Sequence, residues 1–419
     1  MMINRTLAPE IWPIEKLRIT EPKLIDEAGD FKFYYLENKS FDGFKLDLYF
    51  DAGYKHNSRL ESKIASNSLF LGTSNKKEEE IENEFDLLGS FKGTEVSADY
   101  SSVSFLGSNN NFSEIIKNAV DVISNNKVND KSFQQLISSR KQSYKVNQEK
   151  VSVKARNLFV NKLYAPTHLE KTIELADYDK LNRSDIQSFI DSNFKKGLLK
   201  VTLTGNVSEK QLQQLSELLK PLICDTKKDV YIDYQHNAGK FHEIKEDAVQ
   251  SALRVGRMLF NRNHEDYPKF MFLNTVLGGY FGSRLMSTLR EEKGLTYGVG
   301  SGIAQTVDHG YFFISTEVNK ENHYQAIEII KTEIERLQNE LVSEDEMEKV
   351  KNYLIGNLLK NSDGPFAQMS KFMAVENMGL DLTYYDRLLQ TYQDIQPKEL
   401  QTIAKRYLKW EDLLICSVG

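Results

Sequence analysis

The stretch LNTVLGGYFGSRLMSTLREEKGLTYGVGS, Leu273 to Ser301, decides how the rest of the chain is read. Its apolar spacing predicts a helix over Phe270–Val276, a Gly-broken turn, a second helix over Gly282–Arg290 and a strand over Gly298–Ile303. Leu285 and Leu289, four apart, belong to the core face of the second helix. Gly278, Gly279 and Gly282 permit close packing and a turn. Arg290 and Tyr297 stand on either side of the Gly294 turn. A guanidinium and a phenol so spaced can converge on one point and donate to a peptide carbonyl or a developing oxyanion. Taken singly each has a plainer reading: Arg290 opens a charged helix end, REEK, and Tyr297 alternates with Leu295 and Val299 as a strand residue would.

The first half holds a counterpart, KIASNSLFLGTSNKKEEEIENEFDLLG from Lys63 to Gly89, preceded by the strand-like LDLYFDAG of Leu46–Gly53. SLFLGT (Ser68–Thr73) lies over NTVLGG (Asn274–Gly279) and Gly89 over Gly294, both offsets being about 205 residues, and KVTLTGN (Lys200–Asn206) matches LLICSVG (Leu413–Gly419). Markers in one order predict two copies of one α+β unit. The expected division is a first unit over 1–221, a linker over 222–247, where helical periodicity lapses, and a second unit over 248–419.

Within the units, strands are expected at Phe31–Leu36, Phe44–Phe50, Val96–Leu106 and Gly310–Glu317. Helices are expected at Arg59–Leu71, Glu78–Leu88, Phe112–Val122, Tyr324–Glu340 and Glu344–Leu359, with a long, mostly helical run over Lys131–Leu163. Glu78–Leu88 carries a charge run that reads as a solvated face. The chain has 419 residues, 40% hydrophobic content and 8 prolines, the composition of a folded protein with material for two domains. A net charge of −6 gives no footprint for nucleic acid. The opening MMINRTLAPEIWPIEKL lacks a signal-type apolar region and no stretch reaches membrane-span length, so the cytoplasm is the expected location.

On LGG, SRL, LREEKGLTY and the following Gly-Val-Gly-Ser, the chain resembles the pitrilysin/insulinase-type metallopeptidases. The likeness is to their shorter bacterial and mitochondrial-processing-peptidase-like members, which are built from two subunits. The resemblance implies two homologous α/β-roll domains of the LuxS/metallohydrolase-like type. It also implies that Arg290 and Tyr297 help bind and polarise peptide substrate in a site whose zinc sits on another domain.

Active members carry H-x-x-E-H on a helix just before the Gly-Thr that corresponds to Gly72 and Thr73, two imidazoles holding zinc while the Glu activates its water. Here those three positions are Lys63, Ser66 and Asn67. An ammonium has no lone pair to give, an amide is a poor substitute for imidazole and a serine has no useful basicity, so they read as ordinary helix residues. The family's third ligand, a Glu, would fall near Gln142–Tyr144, and no acidic residue occurs between Lys131 and Gln148. No histidines form a four-apart pair. His236 with His242 and Glu243 comes nearest but is interrupted by Gly239, and Cys224 and Cys416 read as free core thiols.

The resemblance therefore implies a chain inert by itself and without a metal of its own: the non-catalytic subunit of a heterodimeric zinc metallopeptidase. Arg290 and Tyr297 would be supplied in trans, zinc would sit in a homologous partner bearing H-x-x-E-H, and the substrate would be a peptide or unfolded polypeptide. Made alone, the chain is also open to pairing with itself as a homodimer. The alternative is a peptidase-fold scaffold or peptide-binding protein without any peptidase role.

Overall fold

The computed structural model describes residues 14–228 and 230–419. Strands β1 (Lys23–Ala28), β2 (Phe31–Glu37), β3 (Phe44–Phe50), β4 (Phe91–Val96), β5 (Ser101–Gly107) and β6 (Leu198–Gly205) form a six-stranded sheet ordered β1-β2-β6-β3-β5-β4. A five-stranded sheet follows, ordered β7-β11-β8-β10-β9. Its strands are β7 (Gly239–Glu243), β8 (Gln250–Leu259), β9 (Val299–Gln305), β10 (Gly310–Asn319) and β11 (Leu414–Val418). In the first sheet β2 and β6 are parallel, and the pairs β6–β3, β3–β5 and β5–β4 are antiparallel. In the second, β7 and β11 are parallel, and β11–β8, β8–β10 and β10–β9 are antiparallel. Without β1 the two sheets have the same order and the same directions. The chain is an α+β internal repeat in which β6 and β11, the strands of KVTLTGN and LLICSVG, are equivalent. Gly89 and Gly294 keep that equivalence in their backbone, turning at φ 61° and 63°, a region a Cβ would strain.

Helices α1 (Arg59–Ser68), α2 (Glu78–Leu87), α3 (Phe112–Ser124), α4 (Asp130–Gln148) and α5 (Val151–Tyr164) belong to the first unit. Alternation along the strands gives each sheet two buried faces. Phe33, Leu46, Leu48 and Val103 pack under α1 and α3 in the first core, whereas Val255, Phe312 and Ile314 serve the second. The opposite faces are covered by exchange. From the second unit, helix Pro365–Glu376 lays Met369, Phe372 and Met373 on Tyr34 and Leu36 of β2. From the first unit, α5 packs on β8 and β11, with Phe159 and Leu163 against Leu414 and Cys416. Each large side chain so removed from water contributes roughly 1.5–3 kcal/mol, so the exchanged helices tie the units together. Beneath the Pro365–Glu376 helix, Glu376 pairs with Lys200 of β6, and Tyr34 Oη donates to Glu376 Oε1 at 2.9 Å.

Two expectations are corrected, and the mostly helical run over Lys131–Leu163, which holds, resolves into two helices. Val96–Leu106 is not one strand but the junction of β4 and β5, turned at residues 97–100 where the Tyr100 N–H donates to Ser97 Oγ at 3.1 Å. β4 is an edge strand whose Phe91 is 74% exposed, so burial leaves little mark on its sequence. Lys131–Leu163 breaks between α4 and α5 without Pro or Gly, because Val151, Ala155, Phe159 and Leu163 turn away to serve the second sheet. The expected linker over 222–247 is partly built in: Leu222 is buried in the first core, and Gly239–Glu243 is β7, an edge strand with Lys240, His242 and Glu243 on its polar length.

Candidate functional site

Helix α1 begins where Ser58 Oγ accepts the Glu61 N–H at 3.4 Å, an N-cap. With Leu60 and Ile64 buried in the first core, the 3.6-residue period turns Arg59, Lys63 and Asn67 outward as one stripe. Ser66 is fully buried, and its Oγ has no hydrogen-bond partner among the described residues. Asn67 Oδ1 accepts from Arg140 Nη2 at 2.5 Å, and Asn67 Nδ2 donates to the Lys63 carbonyl at 2.5 Å. Arg140 comes from α4, the helix on which the family's third metal ligand was sought; Tyr144, one turn on, instead faces the Tyr178 ring.

Desolvation, followed by the charges of Arg59, Arg156 and Arg140, pushes the Lys63 ammonium below its usual pKa. These groups do not fit zinc: cations without lone pairs repel a divalent ion, and the amide oxygen of Asn67 is already engaged by Arg140. Nor does another set take their place. Among the described residues no three His, Cys, Asp or Glu side chains are grouped to hold a metal. His242 bonds Ser417 Oγ at 2.9 Å and faces the His323 ring, whereas His236 lies beside Arg257 and Asp412, its pKa lowered by burial and then by Arg257. Cys224 and Cys416 are free buried thiols, as the sequence led us to expect.

The stripe on α1 faces further cations that sequence reasoning missed. Arg156 on α5 acts on both Lys63 and Arg254 of β8. Arg59 lies over the Tyr54 ring at 4.4 Å and Arg254 over the Phe313 ring at 5.0 Å. Spacing alone could have found Arg59, four residues before Lys63. Arg156 and Arg254 carry no local signal, since only the seating of α5 on β8 brings them in.

Around the Arg290 and Tyr297 motif the expected helices are wider than α. Helix Tyr267–Asn274 opens into a π-turn over Thr275–Gly279, and Met286–Glu292 is π-helical, a geometry frequent at functional positions. Gly278 is required by close approach, as a Cβ there would stand 2.6 Å from Ser301 Oγ on β9. The Leu295 N–H donates back to the Leu289 carbonyl at 2.8 Å, folding the turn so that Leu289 stays in the core while Arg290 faces out. The Arg290 guanidinium lies 4.9 Å over the Phe281 ring, and Tyr297 is 93% exposed in the turn before β9 rather than inside a strand. Among the described residues neither side chain has a hydrogen-bond or ion-pair partner, so the guanidinium N–H groups and the phenol are free to meet a ligand. The two side chains are not in contact with each other through any hydrogen bond.

The class defined is an α+β internal repeat whose helix α1 presents Lys63 and, through Asn67, Arg140. Residues 180–354 match the family described as the peptidase M16 inactive domain. An uncharacterized zinc protease of Rickettsia felis is 25% identical over 76% of this chain and 78% of its own length. The probable inactive metalloprotease YmfF of Bacillus subtilis is 24% identical over 50% of this chain and 49% of its own. The non-peptidase homolog YmxG of Helicobacter pylori is 23% identical over 37% of this chain and 36% of its own. Among solved structures, a peptidase M16 inactive domain from Pseudomonas fluorescens superposes with a TM-score of 0.84 at 19% identity, covering 96% of this chain and 98% of that one. A protease from Helicobacter pylori gives 0.83 at 15% identity, covering 96% and 100%. Residues 180–354 thus match the M16 inactive domain, and the chain as a whole is similar in fold to solved structures of that kind. No helix among the described residues is long and apolar enough to cross a membrane.

Proposed function

We propose that this chain is the non-catalytic subunit of a two-subunit zinc metallopeptidase in the cytoplasm. In this reading it presents Arg290 and Tyr297 in trans to peptide bound at a homologous partner that carries H-x-x-E-H and the zinc. The observation that carries the proposal is the motif turn: a guanidinium braced on Phe281 and a phenol 93% exposed, both with unused donors. Burying neither hydroxyl nor guanidinium gains nothing for the fold, whereas both suit a substrate carbonyl on which charge develops. Lys63, Ser66 and Asn67 leave the first unit no hydrolytic chemistry of its own, so this chain binds and polarises while bond cleavage belongs to the partner. Co-expression with such a partner, followed by a peptide-cleavage assay on the isolated pair and on each chain separately, tests the proposal. Hydrolysis only by the pair is expected. A pair that never forms, or one that forms without hydrolysis, would leave the scaffold or peptide-binding alternative, as would a stable homodimer as the sole assembly.

A further inference from the structure

Arg59 and Lys63 on α1, Arg140 on α4, Arg156 on α5 and Arg254 on β8 form one cationic patch: Arg59 and Lys63 share the outward face of α1, Arg140 reaches Asn67 one turn beyond Lys63, and α5 packs on β8. Among the described residues no salt bridge pairs any of them, although Asp and Glu outnumber Lys and Arg by 60 to 54 in the chain. Like charges held together without counter-charges repel, and a fold keeps such an arrangement against its own stability. Three contacts orient them. Arg59 and Arg254 lie over the Tyr54 and Phe313 rings, and Asn67 fixes Arg140 through its amide oxygen. Glu317 is the carboxylate that acts on Arg254, and the charges acting on Lys63 are all cationic.

We propose that this patch, standing where the resemblance would put an active relative's metal, binds the carboxylates of an extended acidic peptide. Arg59 and Asn67 span about 12 Å along α1 at 1.5 Å per residue, and Arg156 and Arg254 continue the positive surface onto the second sheet. Such a spread suits carboxylates spaced along a chain better than one compact anion. A guanidinium fork donates two N–H groups edge-on to a carboxylate, and Lys63, whose charged neighbours are cations, gains a counter-ion when one arrives. The inference names the peptide class for the proposed function and rests on that reading only for the peptide's being a substrate. Binding by this chain alone involves neither partner nor hydrolysis, so the two can fail separately.

The test is fluorescence anisotropy of the purified full chain with labelled peptides of one length. One is Glu-rich with an amidated C-terminus, a second has Gln for every Glu and is amidated, and a third is the Gln peptide with a free C-terminus. The Glu-rich peptide should bind at least about tenfold more tightly than the amidated Gln peptide, with the difference shrinking at high salt. A partly screened ion pair is worth a few-fold in affinity, so the Lys63→Gln/Arg140→Gln double variant should weaken Glu-peptide binding about tenfold. The charge-keeping Lys63→Arg should leave it near wild type. If the free-acid Gln peptide binds like the Glu peptide and is lost in the double variant, the patch takes a chain terminus, which also upholds a carboxylate site. Folding is monitored by melting: Lys63→Gln relieves repulsion and should raise Tm slightly, by about 1 °C. Equal affinity for the Glu-rich and amidated Gln peptides, or unchanged binding by a folded double variant, would overturn the proposal.

Discussion

Arg140 on α4 donates to the amide oxygen of Asn67 on α1 at 2.5 Å, which sets a guanidinium against the helix position where an active relative carries its second metal-binding imidazole. A cation so placed repels a divalent ion. Elemental analysis of the chain purified alone should therefore find no stoichiometric zinc, even after incubation with zinc and desalting. About one zinc per chain, lost on replacing Lys63 or Asn67, would contradict this account of α1.

The contact between helix Pro365–Glu376 and the first sheet is expected to be sensitive to acid. Burial raises the Glu376 carboxyl, but Lys200, the Tyr34 hydroxyl and Lys32 outweigh it and hold its pKa below the usual range. A depressed folded pKa means stability that is present above the unfolded carboxylate value near 4.3 and lost as pH falls through the folded value. Glu376→Ala leaves Lys200 facing a mostly buried gap and should cost about 3 kcal/mol at neutral pH. In thermal melts the wild-type advantage over Glu376→Ala should persist to pH 5 and shrink below pH 4. An advantage that grows on acidification would show the sign to be wrong.

We place the boundary between the units within residues 225–238, inside the expected 222–247 and short of β7. Tyr231 there is 90% exposed, while Ile232 beside it is buried. Brief chymotrypsin treatment should cut first after Tyr231, and because α5 and Pro365–Glu376 are exchanged between the sheets, the two fragments should elute together on a sizing column. First cuts inside α5 or inside Pro365–Glu376 would argue against that boundary.

The repeat was legible because its markers are backbone-determined: Gly89 and Gly294 need left-handed turns, and the strands of KVTLTGN and LLICSVG are buried on both faces in equivalent places. β3, expected at Phe44–Phe50, has those bounds in the structure because Phe44, Leu46, Leu48 and Phe50 all face the first core. β4 and β7 escaped notice for the opposite reason, since edge strands carry charge and exposed side chains that read as loop. Arg290 and Tyr297 were found from a spacing within one turn. The π-helical widening that frees Arg290 from the core could not be read from residues whose propensities are those of an ordinary helix. Arg156 and Arg254 became part of a site only through the crossing of α5 onto β8, a contact between residues about a hundred positions apart in a chain with no local mark of it.

The motif turn is the place where one measurement bears most directly on the central claim. In a reconstituted complex of this chain with its H-x-x-E-H partner, Tyr297→Phe removes one hydroxyl and Arg290→Ala removes one cation from an exposed turn, so neither should disturb folding or assembly. Losing a single preorganised donor to a developing oxyanion slows catalysis by roughly a hundredfold or more. Each variant should therefore lose most peptide hydrolysis in kcat/KM while partner affinity and the zinc content of the complex stay at wild-type levels. Full hydrolysis by both variants in an intact complex would contradict the account and leave the motif as inherited structure.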